Sequence, residues 1–378
     1  MGRESGAVGR TGGAVLAVAA MLLAGAASPG PGGTAHARGA AAGGPGGRPG
    51  APALLYVTNQ DAATVSVIDV GTLEVLRTVR LQDYGFSANA KPHDVAVEPD
   101  GSAWYVSLIG DNKVVKFSAD DRVLGQADVE VAGLIALHPG GELLYATRSM
   151  SAVNPPPRIA EIRRSDMDAE EIDVLFPRPH ALSIQPSGAY VYTASLAVNQ
   201  MAVIDVKTGE VRVVPFEGPN YVLGHSAISP DGKTLVVTMH TPELRVFDLS
   251  DPAAPRYVAT IEVGELPWLP AFSPDGRQVY VPNRGDNTVS VVDIQRRQTV
   301  ATVEGQGFAE PYAAIVSPDG RRVFVSNSNT QGTYIPEGAA AGSKPPGTVV
   351  VIDAATRAVT DVIPVGRGPT GMAIAGVR

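Results

Sequence analysis

The sequence contains no cysteine in 378 residues. That absence excludes disulfides, thiolate catalysis, iron–sulfur clusters, covalent haem attachment and a lipoprotein anchor. Concentrated positive charge is also missing: 30 Lys and Arg stand against 38 Asp and Glu, a formal charge of −8, and the basic residues are scattered. Duplex binding needs a basic face that displaces counterions, so nucleic acid is not an expected partner. No Ser-His-Asp motif, phosphate loop or nucleotide fingerprint is present. Strong helical periodicity is scarce, whereas Gly (42) and Pro (31) are abundant, a composition of many turns between short strands. With 44% hydrophobic residues the chain can still bury a core.

Arg3 and Arg10 precede an apolar run over residues 14–27, and a small-residue site follows at Ala35, His36 and Ala37. The run is shorter than the roughly 20 residues a membrane span needs, so residues 1–37 are expected to be a signal peptide, with cleavage after Ala37 or Ala27. The expected location is periplasmic or extracellular, with no membrane span after cleavage. Residues 38–52, almost all Gly, Ala and Pro, read as a flexible linker.

Residues 53–378 carry a repeat. A Pro-Asp-Gly-like turn recurs at Pro99, Pro139, Pro186, Pro230, Pro274 and Pro318, spaced 40, 47, 44, 44 and 44 residues apart. That period matches one four-stranded propeller blade. Proline presets φ, Asp or Ser bonds its own backbone, and Gly takes the positive φ that reverses the chain. Seven inner strands are counted, beginning near His93, Gly133, His180, Gly224, Trp268, Tyr312 and Thr370. The expectation is an all-β, seven-bladed β-propeller of four-stranded antiparallel blades. Its ring is closed by the C-terminal inner strand pairing with the three N-terminal strands, which removes exposed sheet edges.

Tyr56-Val57-Thr58-Asn59, followed by residues 64–69, resembles the repeat of the YVTN family of β-propellers, and residues 280–283 with 287–293 are similar. The resemblance covers about 320 residues and implies the same fold.

Strand polarity places the inner-strand starts and the long connections 81–92, 149–158 and 328–347 on one rim, the top, where a binding face is expected. His93, His180, His225, His240, Trp268 and Tyr312 should gather there as ligand-binding residues. The partner would be a small molecule or a protein at the channel mouth, bound by a monomer. Neutral imidazoles of His93, His180, His225 and His240 could instead hold copper or zinc, giving a metal-dependent redox enzyme. That placement is similar to the copper-holding propellers of nitrous oxide reductase. His138 abuts a bottom turn. The recurring acids Asp69, Asp205, Asp248, Asp293 and Asp353, and the strand-end Asn59, Asn283 and Asn327, are expected to support turns.

Residues 91–97 with Pro99-Asp100-Gly101, residues 178–182 and residues 283–286 also resemble the lactonase-type seven-bladed family. The resemblance implies a hydrolase, with His180 and Arg178 as candidate catalytic residues. Three readings therefore stand: binding module, redox enzyme, and lactonase-like hydrolase.

Overall fold

The computed structural model describes residues 53–148, 154–216, 222–337 and 344–375. The expected signal peptide and linker lie outside these residues. Seven four-stranded antiparallel sheets form the blades of a β-propeller. Blade 1 comprises Pro369–Ala375, Leu54–Asn59, Thr64–Asp69 and Val75–Arg80, from the axis outward. The inner strands of blades 2 to 7 are Pro92–Val97, Ile135–Leu137, Pro179–Ile184, Leu223–Ile228, Ala271–Phe272 and Pro311–Val316.

Ring closure is carried by pairing of the chain's two ends, with Leu54 opposite Ala375, Tyr56 opposite Ala373 and Val57 opposite Met372. Each blade is apolar on both faces because each is sandwiched. Tyr56, Val65 and Val67 turn toward Trp104, Val106 and Phe117 of blade 2. The alternate residues Leu55, Val57 and Ile68 turn toward Phe324, Val349 and Val351 of blade 7. This period-2 division of β-branched and aromatic side chains repeats at the other five blade interfaces.

The acids cap turns as expected. Asp69 Oδ1 accepts from the Gly71 and Thr72 N–H groups, and Asp353 Oδ1 from Ala355 and Thr356. Asn59 and Asn283 each donate from Nδ2 to a Thr and a Ser of the adjoining strand.

Two devices shape the top rim. The first is a left-handed residue before proline: Lys91, Arg178, Leu266, Glu310 and Gly368 have φ of 50°, 54°, 49°, 55° and 62°, and each precedes a Pro. Their carbonyls accept from the N–H groups of Ile109, Leu196, Arg284, Ser328 and Gln60, which ties every such loop to the end of a second strand. The second is a bulge at the inner-strand start, with register shifts between Pro92 and Val95, Pro179 and Ala181, Leu223 and Ser226, and Pro311 and Ala313. The backbone N–H freed there is taken by a hydroxyl 13 residues on: Asp94 by Ser107, His225 by Thr238 and Ala313 by Ser326. A bulge re-aims side chains, so the imidazole at 225 enters the same axial space as those at 93 and 180 despite a one-residue offset in the repeat.

Blade 6 departs from the expected pattern. Its inner strand is only Ala271–Phe272 and does not begin at Trp268. Pro267 and Pro270 remove two ladder donors, and Pro282 stands where the second strands of blades 2, 5 and 7 offer a hydroxyl. Leu269 is thereby free to pair with the neighbouring blade, its N–H donating to Tyr312 O at 3.0 Å and its carbonyl accepting from Ala314 at 3.0 Å. In blade 3 the inner strand likewise begins at Ile135, not Gly133.

Candidate functional site

The inner-strand bulges and the blade 6 departure bring all six rim residues into one contact set on the propeller axis. Ring centroids lie 6.2 Å apart for His93 and His180, 4.8 Å for His180 and His225, 4.8 Å for His225 and Trp268, and 5.4 Å for His240 and Trp268. Tyr312 closes the set, 5.9 Å from His93 and 5.7 Å from His225, and is stacked on Trp268 at 5.4 Å. The blade 6 chain segment that follows Trp268 is the one bridged to Tyr312.

The rings pack against one another at the mouth. His93, His180, His225 and Tyr312 are buried, and only Trp268 and His240 are partly exposed.

Hydrogen bonding divides the set. His93 is held on both sides, Nδ1 donating to Gln60 Oε1 at 2.9 Å and Nε2 accepting from the Tyr312 hydroxyl at 3.3 Å. Its carbonyl accepts from the Thr58 and Thr370 hydroxyls. His225 is fully buried with both ring nitrogens unpartnered, and His240 Nε2 and Trp268 Nε1 are buried without a partner as well. Native structures leave few such groups, because each forfeits its solvation without replacement.

Burial keeps the imidazoles neutral. Desolvation lowers His93 to about 4, and it drives His180 and His225 well below the ordinary histidine value, with the neighbouring imidazoles adding to the effect. His240 is lowered by burial and then by the Arg178 charge. Desolvation also raises the Tyr312 hydroxyl, which stays protonated.

Sequence reasoning missed two members. Asp94 is buried, its carboxyl accepting from Val95 N at 3.0 Å and from Ile135 N of blade 3 at 2.9 Å, and burial raises it to about 7. It lies directly over blade 1, where a Cβ on Gly371 would meet its Oδ1 at 2.1 Å. The signal available was an acid beside His93 at the position that is apolar or Gly in most other inner strands. Gln60, which orients His93, carried no signal in the repeat.

The copper or zinc reading gains no support from this geometry. Both nitrogens of His93 are engaged by Gln60 and Tyr312, and the His180 and His225 rings meet edge to face. Among the described residues no group of three or more His, Cys, Asp or Glu could hold a metal ion. His138 lies apart as expected, between bottom turns.

The family described as "Lactonase, 7-bladed beta-propeller" matches residues 175–335. No curated protein matches the sequence. A functionally unknown protein from Desulfotomaculum acetoxidans DSM 771 is similar in structure, with a TM-score of 0.68, 15% identity, and 86% of this chain and 99% of that chain covered. Kuenenia stuttgartiensis hydrazine synthase is similar with a TM-score of 0.62, 20% identity, and 79% of this chain and 92% of that chain covered. At these identities the likenesses show the fold alone. The chain is a seven-bladed β-propeller, and its lactonase likeness spans the segment that bears Arg178, His180, His225, His240, Trp268 and Tyr312.

Proposed function

We propose that this protein is an exported binding module that takes a small polar ligand at the top mouth of the propeller. The observation that carries the reading is His225, fully buried with two unpartnered ring nitrogens beside the unpartnered Trp268 Nε1 and His240 Nε2. Such groups are costly to leave unmade in the interior and well suited to fixing a ligand's orientation. Export is supported by the basic and apolar pattern of the first 37 residues. Ligand binding to the folded state must raise the melting temperature. A thermal-shift screen of small polar molecules, repeated on His225→Leu, tests this. Hits that vanish in the variant support the reading, and hits that persist unchanged place binding elsewhere.

The match to the lactonase family over residues 175–335 favours a second reading, lactone hydrolysis. A neutral His180 could take a proton from water while Arg178 stabilises charge developing on the lactone oxygen. Turnover of a lactone panel that is lost in His180→Gln would support it. Absence of turnover by the intact protein would leave the binding role standing alone.

A further inference from the structure

The outermost strand of each blade has a partner on one side only, so its outer backbone groups form an edge that another chain could pair with. Six of the seven edge strands carry residues that discourage such pairing. Each holds at least one charged residue, Arg77, Asp128, Glu170, Arg212, Glu262 and Asp361 among them in blades 1 to 5 and 7. The edge strand of blade 6, Gln298–Val303, is the exception. It reads Gln-Thr-Val-Ala-Thr-Val, with no charge, proline or glycine and with a high share of β-branched residues.

This edge is also accessible. Among the described residues its strand makes backbone hydrogen bonds only to the third strand of its own blade, Thr288–Asp293. Two side-chain contacts reach it from the neighbouring blades: Arg357 Nη1 lies 3.5 Å from the Val300 carbonyl, and Thr299 Oγ1 donates to Glu262 O at 2.5 Å. A cleft of about 550 Å³ between blades 5 and 6 is lined by Gln298, Thr299 and Thr302, so blade 5 does not cover the strand. Opposite charges flank it. Arg297 precedes the strand and Glu304 follows it, both exposed and neither in an ion pair among the described residues, whereas Arg296 pairs with Asp293 at 3.4 Å.

We infer that two copies of this chain associate edge to edge through blade 6, with Gln298–Val303 of one copy antiparallel to the same strand of the other about a two-fold axis. The register that pairs all six residues sets Gln298 against Val303, Thr299 against Thr302 and Val300 against Ala301. One residue further at each end, Arg297 meets Glu304 of the second copy, and the two-fold makes this pair twice. The segment is therefore complementary to itself in charge as well as in shape, which favours a second copy over an unrelated extended peptide. The dimer departs from the monomer expected of the sequence, and it is independent of the ligand reading at the top mouth.

Sedimentation velocity of the full chain at pH 7.5 and low salt, from about 1 to 100 μM, should show a monomer–dimer equilibrium. Thr302 is exposed, so Thr302→Lys should melt as the parent does while raising the dissociation constant about tenfold or more, because it restores the charge that the other edges carry. Arg297→Glu and Glu304→Arg should each weaken the dimer severalfold, since either one sets like charges together twice. The double variant, which exchanges the two charges, should bring the dissociation constant back to within about twofold of the parent. A dimer that Thr302→Lys leaves unchanged joins through another surface and overturns the inference. Single reversals that the exchange does not rescue overturn the two-fold register. A chain that stays monomeric at 100 μM overturns the dimer outright, and uptake of a labelled peptide of residues 296–305 by that monomer would reassign the edge to an extended peptide.

Discussion

The two rims of this propeller use histidine in opposite ways. At the bottom, His138 Nδ1 accepts from Gly140 N at 3.0 Å and Nε2 donates to Gly188 O at 2.8 Å, so one tautomer is fixed and the turns of blades 3 and 4 are joined. Gly188 suits this contact: its φ is 76°, and a Cβ there would lie 2.6 Å from His138 Nε2. At the top, His225 is more deeply buried and bonds to nothing through its ring. Left-handed backbone occurs at both rims: the bottom has glycine in its Pro-Asp-Gly turns but Leu73, Asp121, Met167, Arg297 and Arg357 at positive φ in its other turns, and the top has Lys91, Arg178, Leu266 and Glu310. Non-glycine residues there cost of order 1 kcal/mol or more each. The rims therefore differ in their polar groups: the bottom histidine is fully bonded, and the top retains unmet groups of the kind associated with sites.

Acid should break the comparison most strongly. A histidine whose folded pKa lies below its unfolded value contributes stability above pH 6.5, and that stability is lost as pH falls toward the folded pKa. For His93, lowered to about 4, the loss between pH 6.5 and 4 is roughly 3 kcal/mol, and the shifts of His180 and His225 act in the same direction. Asp94 opposes them. Raised to about 7, it holds a proton in the folded state between pH 4 and 7 that the unfolded chain has released, so its contribution grows as pH falls. Urea unfolding at pH 7 and pH 4.5 should show a net loss, steeper in Asp94→Asn. A flat profile would mean that the top imidazoles are hydrated and titrate normally.

His138→Leu should lose about 1–3 kcal/mol, because the Gly188 carbonyl and the Gly140 N–H each lose a partner. Denaturant midpoints at pH 7.5 measure this, and an unchanged midpoint would remove the structural role given to the bottom histidine. Smaller effects should follow from exchanging backbone types between the rims. Leu266→Gly relieves a left-handed leucine and should be neutral or stabilise by up to about 1 kcal/mol, whereas Gly320→Ala at φ 71° should cost about 1 kcal/mol. Equal effects of the two would show that the left-handed leucine carries no strain for glycine to relieve.

The fold was legible because its determinants are local and repeated: Pro-Asp-Gly turns at a near-constant spacing, β-branched third strands, and a seventh inner strand at Pro369–Ala375. The membership of the mouth was legible from strand polarity, which points His93, His180, Tyr312 and their neighbours to one end. What they do there was not. The bulges that admit His225, and the detachment of the blade 6 inner strand that lays Trp268 on Tyr312, depend on hydroxyls and prolines acting across strands. Asp94 was overlooked because its significance lies in a Gly371 on a strand 277 residues away, and the engagement of both His93 nitrogens rests on Gln60 and Tyr312 from two other blades.

The central claim is that the His225 imidazole at the top is retained for a ligand and not for the fold. The most direct measurement is the unfolding free energy of His225→Leu at pH 7.5 in the absence of added ligand. Replacing a buried ring whose two nitrogens bond to nothing with an apolar side chain should leave stability unchanged or raise it by about 1 kcal/mol. A loss comparable to that of His138→Leu would show that His225 supports the structure as His138 does, and would contradict the account.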